Sequence, residues 1–171
     1  MIQIGIVGHR FLGKQEIADF VNQQCISILQ KVKDVYSDVV ALSAIAAGAD
    51  TIFAEAAVSL NLRHKIVRPF KKYITDFETP DLRDQYLQLQ KTAIKEILLP
   101  HSQRTEEAYF DAMQWIVINS DLIIAVWDGK DENGKGGTAD AVKHVLKAKQ
   151  DWIHIDTGKQ LTKFYLKKIK L

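Results

Sequence analysis

Residues 121–127 read Asp-Leu-Ile-Ile-Ala-Val-Trp, an apolar run over positions that a strand would point alternately to opposite faces. A strand that is apolar on both faces must be covered on both, as happens at the centre of a parallel sheet layered by helices. Residues 2–7 form a similar run that stops at Gly8, and shorter strand-like runs cover 39–43, 65–68 and 152–155. Between them apolar residues recur at helical spacing. Ile17, Phe20, Val21, Ile28, Leu29 and Val32 mark a helix over 14–32, and an alanine-rich helix covers 49–60. Pro80 precedes a helix over 82–93, and residues 94–99 either extend it or form a short strand before Pro100. Thr105 with Glu106 and Glu107 opens a helix carrying Ala108, Ala112, Trp115 and Ile116, and another helix covers 138–149. This alternation predicts an α/β chain: a Rossmann-like, doubly wound, mostly parallel sheet of about six strands with helices on both faces. No repeat, low-complexity tract or linker divides it, so residues 1–171 are expected to form a single domain.

Composition narrows the functional classes. With 47% hydrophobic and 26% charged residues the chain is expected to fold and bury a substantial core. A net charge of +2 is too small to argue for a polyanion, so nucleic acid is not an expected partner. Lys159, Lys163, Lys167, Lys168 and Lys170 alternate with Leu161, Phe164, Leu166 and Ile169, which reads as a last helix or strand with a solvated lysine face. Cys25 is the single cysteine and falls among apolar helix positions, where a buried thiol is expected. His64, His101, His144 and His154 show no metal-ligand spacing, so no metal is expected. A serine-hydrolase elbow is absent. No charged leader precedes the first strand and no apolar run has membrane-spanning length, so a cytoplasmic protein without a membrane partner is expected.

Chemistry is expected in loops that leave the carboxyl ends of the strands, near the point where strand order reverses. The first runs from Gly8 through His9 and Arg10 to Gly13, Lys14 and Gln15. It approaches the phosphate-loop pattern of nucleotide triphosphatases, with strand before and helix after, but Gln15 stands where a magnesium-binding hydroxyl belongs. The glycine equally lets backbone amides approach a ligand beside His9 and Arg10. The second loop, Ala46-Ala47-Gly48-Ala49-Asp50, lets a helix start come close; Asp50 either accepts from ribose hydroxyls or caps the helix. The third ends in Gly134-Lys135-Gly136-Gly137-Thr138, directly after the best strand, and its amides, helix dipole and hydroxyl suit a phosphate. Arg68, at the end of the third strand, either reaches the ligand or pairs with a surface acid.

Taken together, Ile4-Gly5-Ile6-Val7-Gly8-His9-Arg10, Ala47-Gly48-Ala49-Asp50, residues 120–129 and Gly134-Lys135-Gly136-Gly137-Thr138-Ala139-Asp140 resemble the SLOG superfamily over roughly residues 2–157. That group is related to the LOG-type phosphoribohydrolases and to the DNA-processing proteins of bacterial transformation. The resemblance implies a bacterial Rossmann-like domain that recognises a nucleotide or nucleotide-derived signal, often as a sensor beside an effector protein. It implies phosphate binding at Gly136, Gly137 and Thr138, with Gly8, His9, Arg10, Gly48 and Asp50 in the flanking loops. The enzymatic LOG pattern has P-G-G-x-G-T followed closely by a glutamate pair. Here Asn133 replaces the proline, Lys135 breaks the glycine doublet and Asp140 is the only nearby acid, one methylene shorter.

The expectation is therefore a binding domain whose ligand is a nucleotide and which needs no cofactor. A homodimer and an effector on another chain are the protein partners such a domain would have. The enzymatic alternative is a nucleotide N-glycosidase, with Asp140 or Glu55 as the acid and Arg68 orienting the phosphate. A divergent phosphate-loop NTPase built on residues 8–14 is the third reading.

Overall fold

The computed structural model describes residues 1–130 and 137–171. Its elements run β1 (Ile2–Gly8), α1 (Gln15–Val35), β2 (Val39–Ser43), α2 (Ala49–Ser59), β3 (Arg63–Arg68), a 3₁₀ turn (Tyr73–Asp76), α3 (Pro80–Thr92), β4 (Lys95–Leu98), α4 (Glu106–Ile118), β5 (Leu122–Trp127), α5 (Thr138–Lys147), β6 (Asp151–Asp156) and β7 (Leu161–Tyr165). The strands form one sheet in the order β4-β3-β2-β1-β5-β6-β7. Every pairing is parallel except β6 with β7. Among the described residues no helix is long and apolar enough to cross a membrane.

Burial explains the arrangement. Helix α1 buries Val21, Cys25, Ile28, Leu29 and Val32, a stripe at helical spacing, and packs with Phe53 and Ala57 of α2 on one face of the sheet. Ala112, Met113, Ile116, Val142 and Val145 cover the other face from α4 and α5. A third cluster, rich in aromatic rings, gathers Phe70, Tyr73, Phe77 and Tyr86 beside Ile45 and Ile66. The Cys25 thiol lies fully inside, and burial pushes it up to about 12, so it behaves as a small core side chain. Thr79 and Thr105 each accept an amide of their helix's first turn, from Leu82 and Ala108.

The sheet has seven strands where about six were expected. Residues 95–98 are a strand, and the lysine-rich segment supplies β7. Both are edge strands with mostly exposed side chains, so neither carries the two-sided apolar signature of β1, β2 and β5. The chain winds from β1 outward to β4, then returns to β5 on the other side of β1. Helix α1 after β1 packs on one face and α5 after β5 on the other, so the carboxyl ends of these strands frame a crevice.

Candidate functional site

A cavity of about 300 Å³ opens at this crevice. Its walls include Gly8 and Arg10 after β1, Ala44, Ala46 and Asp50 around the β2–α2 loop, and Pro69 and Tyr73 after β3. Tyr109, Met113 and Ile116 of α4 and Gly137, Thr138 and Ala141 at the start of α5 complete it. Glycine makes the close approach feasible. A Cβ on Gly8 would stand 2.6 Å from the Ala49 Cβ and 2.8 Å from the Val126 Cβ. Gly48, at φ +88°, lies so near the first loop that a Cβ would meet the Arg10 carbonyl oxygen at 2.5 Å. Backbone bonds then lock the loops together: His9 donates to the Val126 carbonyl at 3.2 Å, and Ala49 to the His9 carbonyl at 3.1 Å.

Arg10 is held by a carboxylate that the sequence did not single out. The Asp76 side chain is completely enclosed and accepts from Arg10, from the Tyr109 hydroxyl at 2.6 Å and from Arg104 Nε at 3.0 Å. The Arg10 guanidinium also lies 5.3 Å from the Tyr109 ring centre. Burial works against the charge on Arg10, but the hydrogen bond and the charge of Asp76 outweigh it and raise its pKa. Tyr109 is raised as well, by burial first and then by Asp76.

Asp50 is 7% exposed, and its Oδ2 accepts from the Ala44 amide at 3.0 Å. It caps no amide of α2, which starts without a side-chain cap at Gly48; the carboxyl instead pins the preceding loop and faces the cavity. Burial raises it to about 7, opposed by the Ala44 and Ala46 amides and by Arg10. Tyr73, deeper still, is raised by burial and by Asp50.

The remaining candidates divide between the cavity wall and other places. His9 turns toward Asp128, whose amide donates to His9 Nε2 at 3.3 Å, with the Asp128 carboxylate 3.5 Å away. Burial would raise Asp128, but the Lys130 amide and His9 leave it below the usual carboxylate range. Thr138 is the first residue of α5 and is buried, with Gly137 as the cap. Gly136 lies outside the described residues, as do Asn133, Gly134 and Lys135. Arg68 points to the sheet edge, bonding Glu96 at 3.0 Å and the Lys71 carbonyl at 2.6 Å. Glu55 is on the exposed side of α2, accepting from Gln85 at 2.6 Å, and Asp140 stands 3.9 Å from Lys143. Neither of these acids lines the cavity. Gly13 and Lys14 line a separate hollow with Gln15, Thr51 and Leu82, and Gln15 donates to Asp19 at 2.8 Å. Gly13 and Lys14 therefore do not share a pocket with Thr138, whereas Gly8 and Arg10 do. Among the described residues no group of three or more metal-binding side chains is found.

Tyr73 and Asp76 were missed because they sit in a polar, irregular segment. The available signal was the density of aromatic residues there, Phe70, Tyr73, Phe77 and Tyr86, too many for a solvated loop.

No protein-family model and no curated protein sequence matches this chain. Solved structures do. DNA processing protein A from Helicobacter pylori, in a structure described for its single-stranded DNA binding mode, is similar at TM-score 0.63 and 16% identity over 88% of this chain and 63% of that one. DNA processing protein A from Streptococcus pneumoniae gives TM-score 0.61 and 15% identity over 89% and 49%. The structural-genomics target TM1055 gives TM-score 0.58 and 9% identity over 89% and 72%. The chain thus spans 63% and 49% of the two DNA processing proteins. One expectation is corrected by this: nucleic acid cannot be set aside as a partner on a net charge of +2, since the Helicobacter protein of similar fold binds single-stranded DNA. A small net charge leaves local charge free to be concentrated, which is why it was a poor guide. The likeness shows a Rossmann-like fold shared by this chain and these proteins.

Proposed function

We propose that the cavity binds a nucleotide or nucleotide-derived small molecule, and that the chain acts as a binding or sensing domain. One observation carries this reading. Gly8, Arg10, Asp50, Gly137 and Thr138, singled out in three separate loops, all line the same cavity at the carboxyl edge of the sheet. The amides and positive end of α5 suit a phosphate, and the Thr138 hydroxyl adds a donor. Arg10, steadied by Asp76, supplies a full positive charge beside it. Pro69, Tyr109, Ala112 and Met113 offer apolar and aromatic walls of the kind a base packs against. The N-glycosidase reading as built on Glu55, Asp140 and Arg68 is not supported, because all three stand away from these walls; the acids that line the cavity are Asp50 and Glu106.

The test is calorimetry and thermal shift with nucleoside monophosphates, cyclic nucleotides, ADP-ribose and a single-stranded oligonucleotide, with and without magnesium. A ligand at one hundred times its dissociation constant adds about 2.7 kcal/mol of stability. Thr138→Ala is expected to weaken binding by about 1.5–3 kcal/mol, the worth of a hydrogen bond to a charged group. Absence of stabilisation by every nucleotide, or an unchanged affinity in Thr138→Ala, removes the reading. Free base appearing during incubation would move it to an N-glycosidase.

A further inference from the structure

Tyr73 has a hydroxyl without a partner among the described residues. Its ring is set by edge contacts to Phe70 and Phe77, both at 5.4 Å, and to Tyr86 at 5.9 Å. The side chain is fully buried, and the hydroxyl makes no hydrogen bond among the described residues. Packing alone would be served by phenylalanine, as at Phe70 and Phe77, because an unsatisfied buried hydroxyl destabilises the folded chain. The phenol lies in the field of Asp50, Arg10, Asp76 and Tyr109, and the residue lines the cavity together with Asp50. A buried polar atom left over at a cavity wall is the mark of a group whose partner arrives with the ligand.

Resting on the nucleotide reading, we infer that the Tyr73 hydroxyl and the Asp50 carboxyl form a polar floor that reads the vicinal hydroxyls of a ribose, making the site selective for ribonucleotides over 2′-deoxyribonucleotides. The chemistry matches. A phenol both donates and accepts, and a carboxyl with two oxygens, engaged by the Ala44 and Ala46 amides, retains acceptor capacity for a hydroxyl. A phosphate is a poor occupant beside Asp50, and a flat base is better served by Tyr109 and Met113. The sugar is the part of a nucleotide joined directly to the phosphate. It is therefore the part that falls between Arg10 and the floor next to it.

The experiment is calorimetry of the full chain with the four ribonucleoside 5′-monophosphates and their 2′-deoxy counterparts. The wild-type protein is expected to prefer the best-bound ribonucleotide by about tenfold or more, the discrimination a site built around a hydroxyl achieves. Tyr73→Phe is expected to lose most of that preference while binding the deoxynucleotide as before. Its free form is expected to melt no lower than wild type, since the variant removes an unpaired hydroxyl. A retained preference in Tyr73→Phe, or equal loss of both ligand series, overturns the inference and leaves the nucleotide reading standing. Equal affinity of wild type for ribo and deoxy ligands does the same and requires no variant. Failure of wild type to bind any of the eight overturns both.

Discussion

Asp50 is a carboxyl removed from water, with the Ala44 amide donating to it at 3.0 Å, the Ala46 amide also stabilising its charged form, and Arg10 acting on it through its field. Burial lifts it to about 7, so the folded chain keeps this proton across a range in which an unfolded aspartate, near 3.8, has already released it. The folded state therefore binds more protons between about pH 4 and pH 7, and stability falls as pH rises through that window. Asp50→Asn has no proton to lose and keeps an oxygen for the Ala44 amide. Urea unfolding is expected to find it more stable than wild type at pH 8 by a few kcal/mol, with the advantage shrinking toward pH 4. A constant difference across the range would mean that Asp50 does not titrate in this window. The same substitution removes a candidate ribose contact, so a gain in stability is expected to accompany weaker nucleotide binding.

At the scale of elements, the loops after β1 and β2 behave as one unit because Gly48 admits the backbone of residues 9 and 10. Gly48→Ala would bring a Cβ to 2.5 Å from a carbonyl oxygen at a φ of +88° that alanine rarely adopts. The expected loss is about 2 kcal/mol or more, together with weaker nucleotide binding as Arg10 is displaced. Gly13→Ala is the control. It shares a positive φ of +77° but meets nothing within 4 Å, so it is expected to show only the backbone penalty of about 1–2 kcal/mol and unaltered affinity. Thermal melts and calorimetry on the pair separate strain from collision. What the sequence revealed follows the same division. Central strands such as residues 122–127 were legible because both faces are apolar, and the cap at Thr105 because one residue carries it. Edge strands β4 and β7 stayed open between helix and strand, because exposed Lys95, Glu96 and Lys163 hide their pattern. Gly8, Gly48 and Thr138 could be picked out because a glycine or hydroxyl beside a strand end is a local signal. The Asp76 hub was invisible, since it joins residue 10, residue 76, residue 104 and residue 109 from three distant segments. Arg68 was ambiguous for a related reason: which way a strand's last residue points is settled by its neighbour, here Glu96.

Across the whole molecule the sheet ends in a parallel strand, β4, and an antiparallel one, β7, and the segment after β7 is tied down by one residue. Asp151, at the start of β6 and 2% exposed, accepts from the amides of Lys167 at 3.0 Å, Lys168 at 2.8 Å and Ile169 at 2.6 Å. Those bonds fold residues 166–169 back onto the sheet, where Leu166 and Ile169 pack against the core beside α1. Burial alone would raise the Asp151 carboxyl, but the three amides and Lys168 leave it below the ordinary carboxylate value. Here the unfolded state binds the proton more readily, so the contribution to stability is present above about pH 4 and is lost as pH falls toward the depressed value. Asp151→Ala is expected to cost about 2–4 kcal/mol, as several charge-assisted hydrogen bonds and the packing they secure are lost together. Hydrogen exchange should localise the effect: amides of residues 161–169 lose protection, while β1, β2 and β5 keep theirs. Acidification of the wild-type protein is expected to reproduce the same local loss, and the variant to show no further acid step there. Unchanged protection at residues 167–169 in Asp151→Ala would show that β7 is held by its pairing with β6 alone. Because the cavity lies at the β1–β5 crevice, nucleotide affinity in this variant is expected to match wild type.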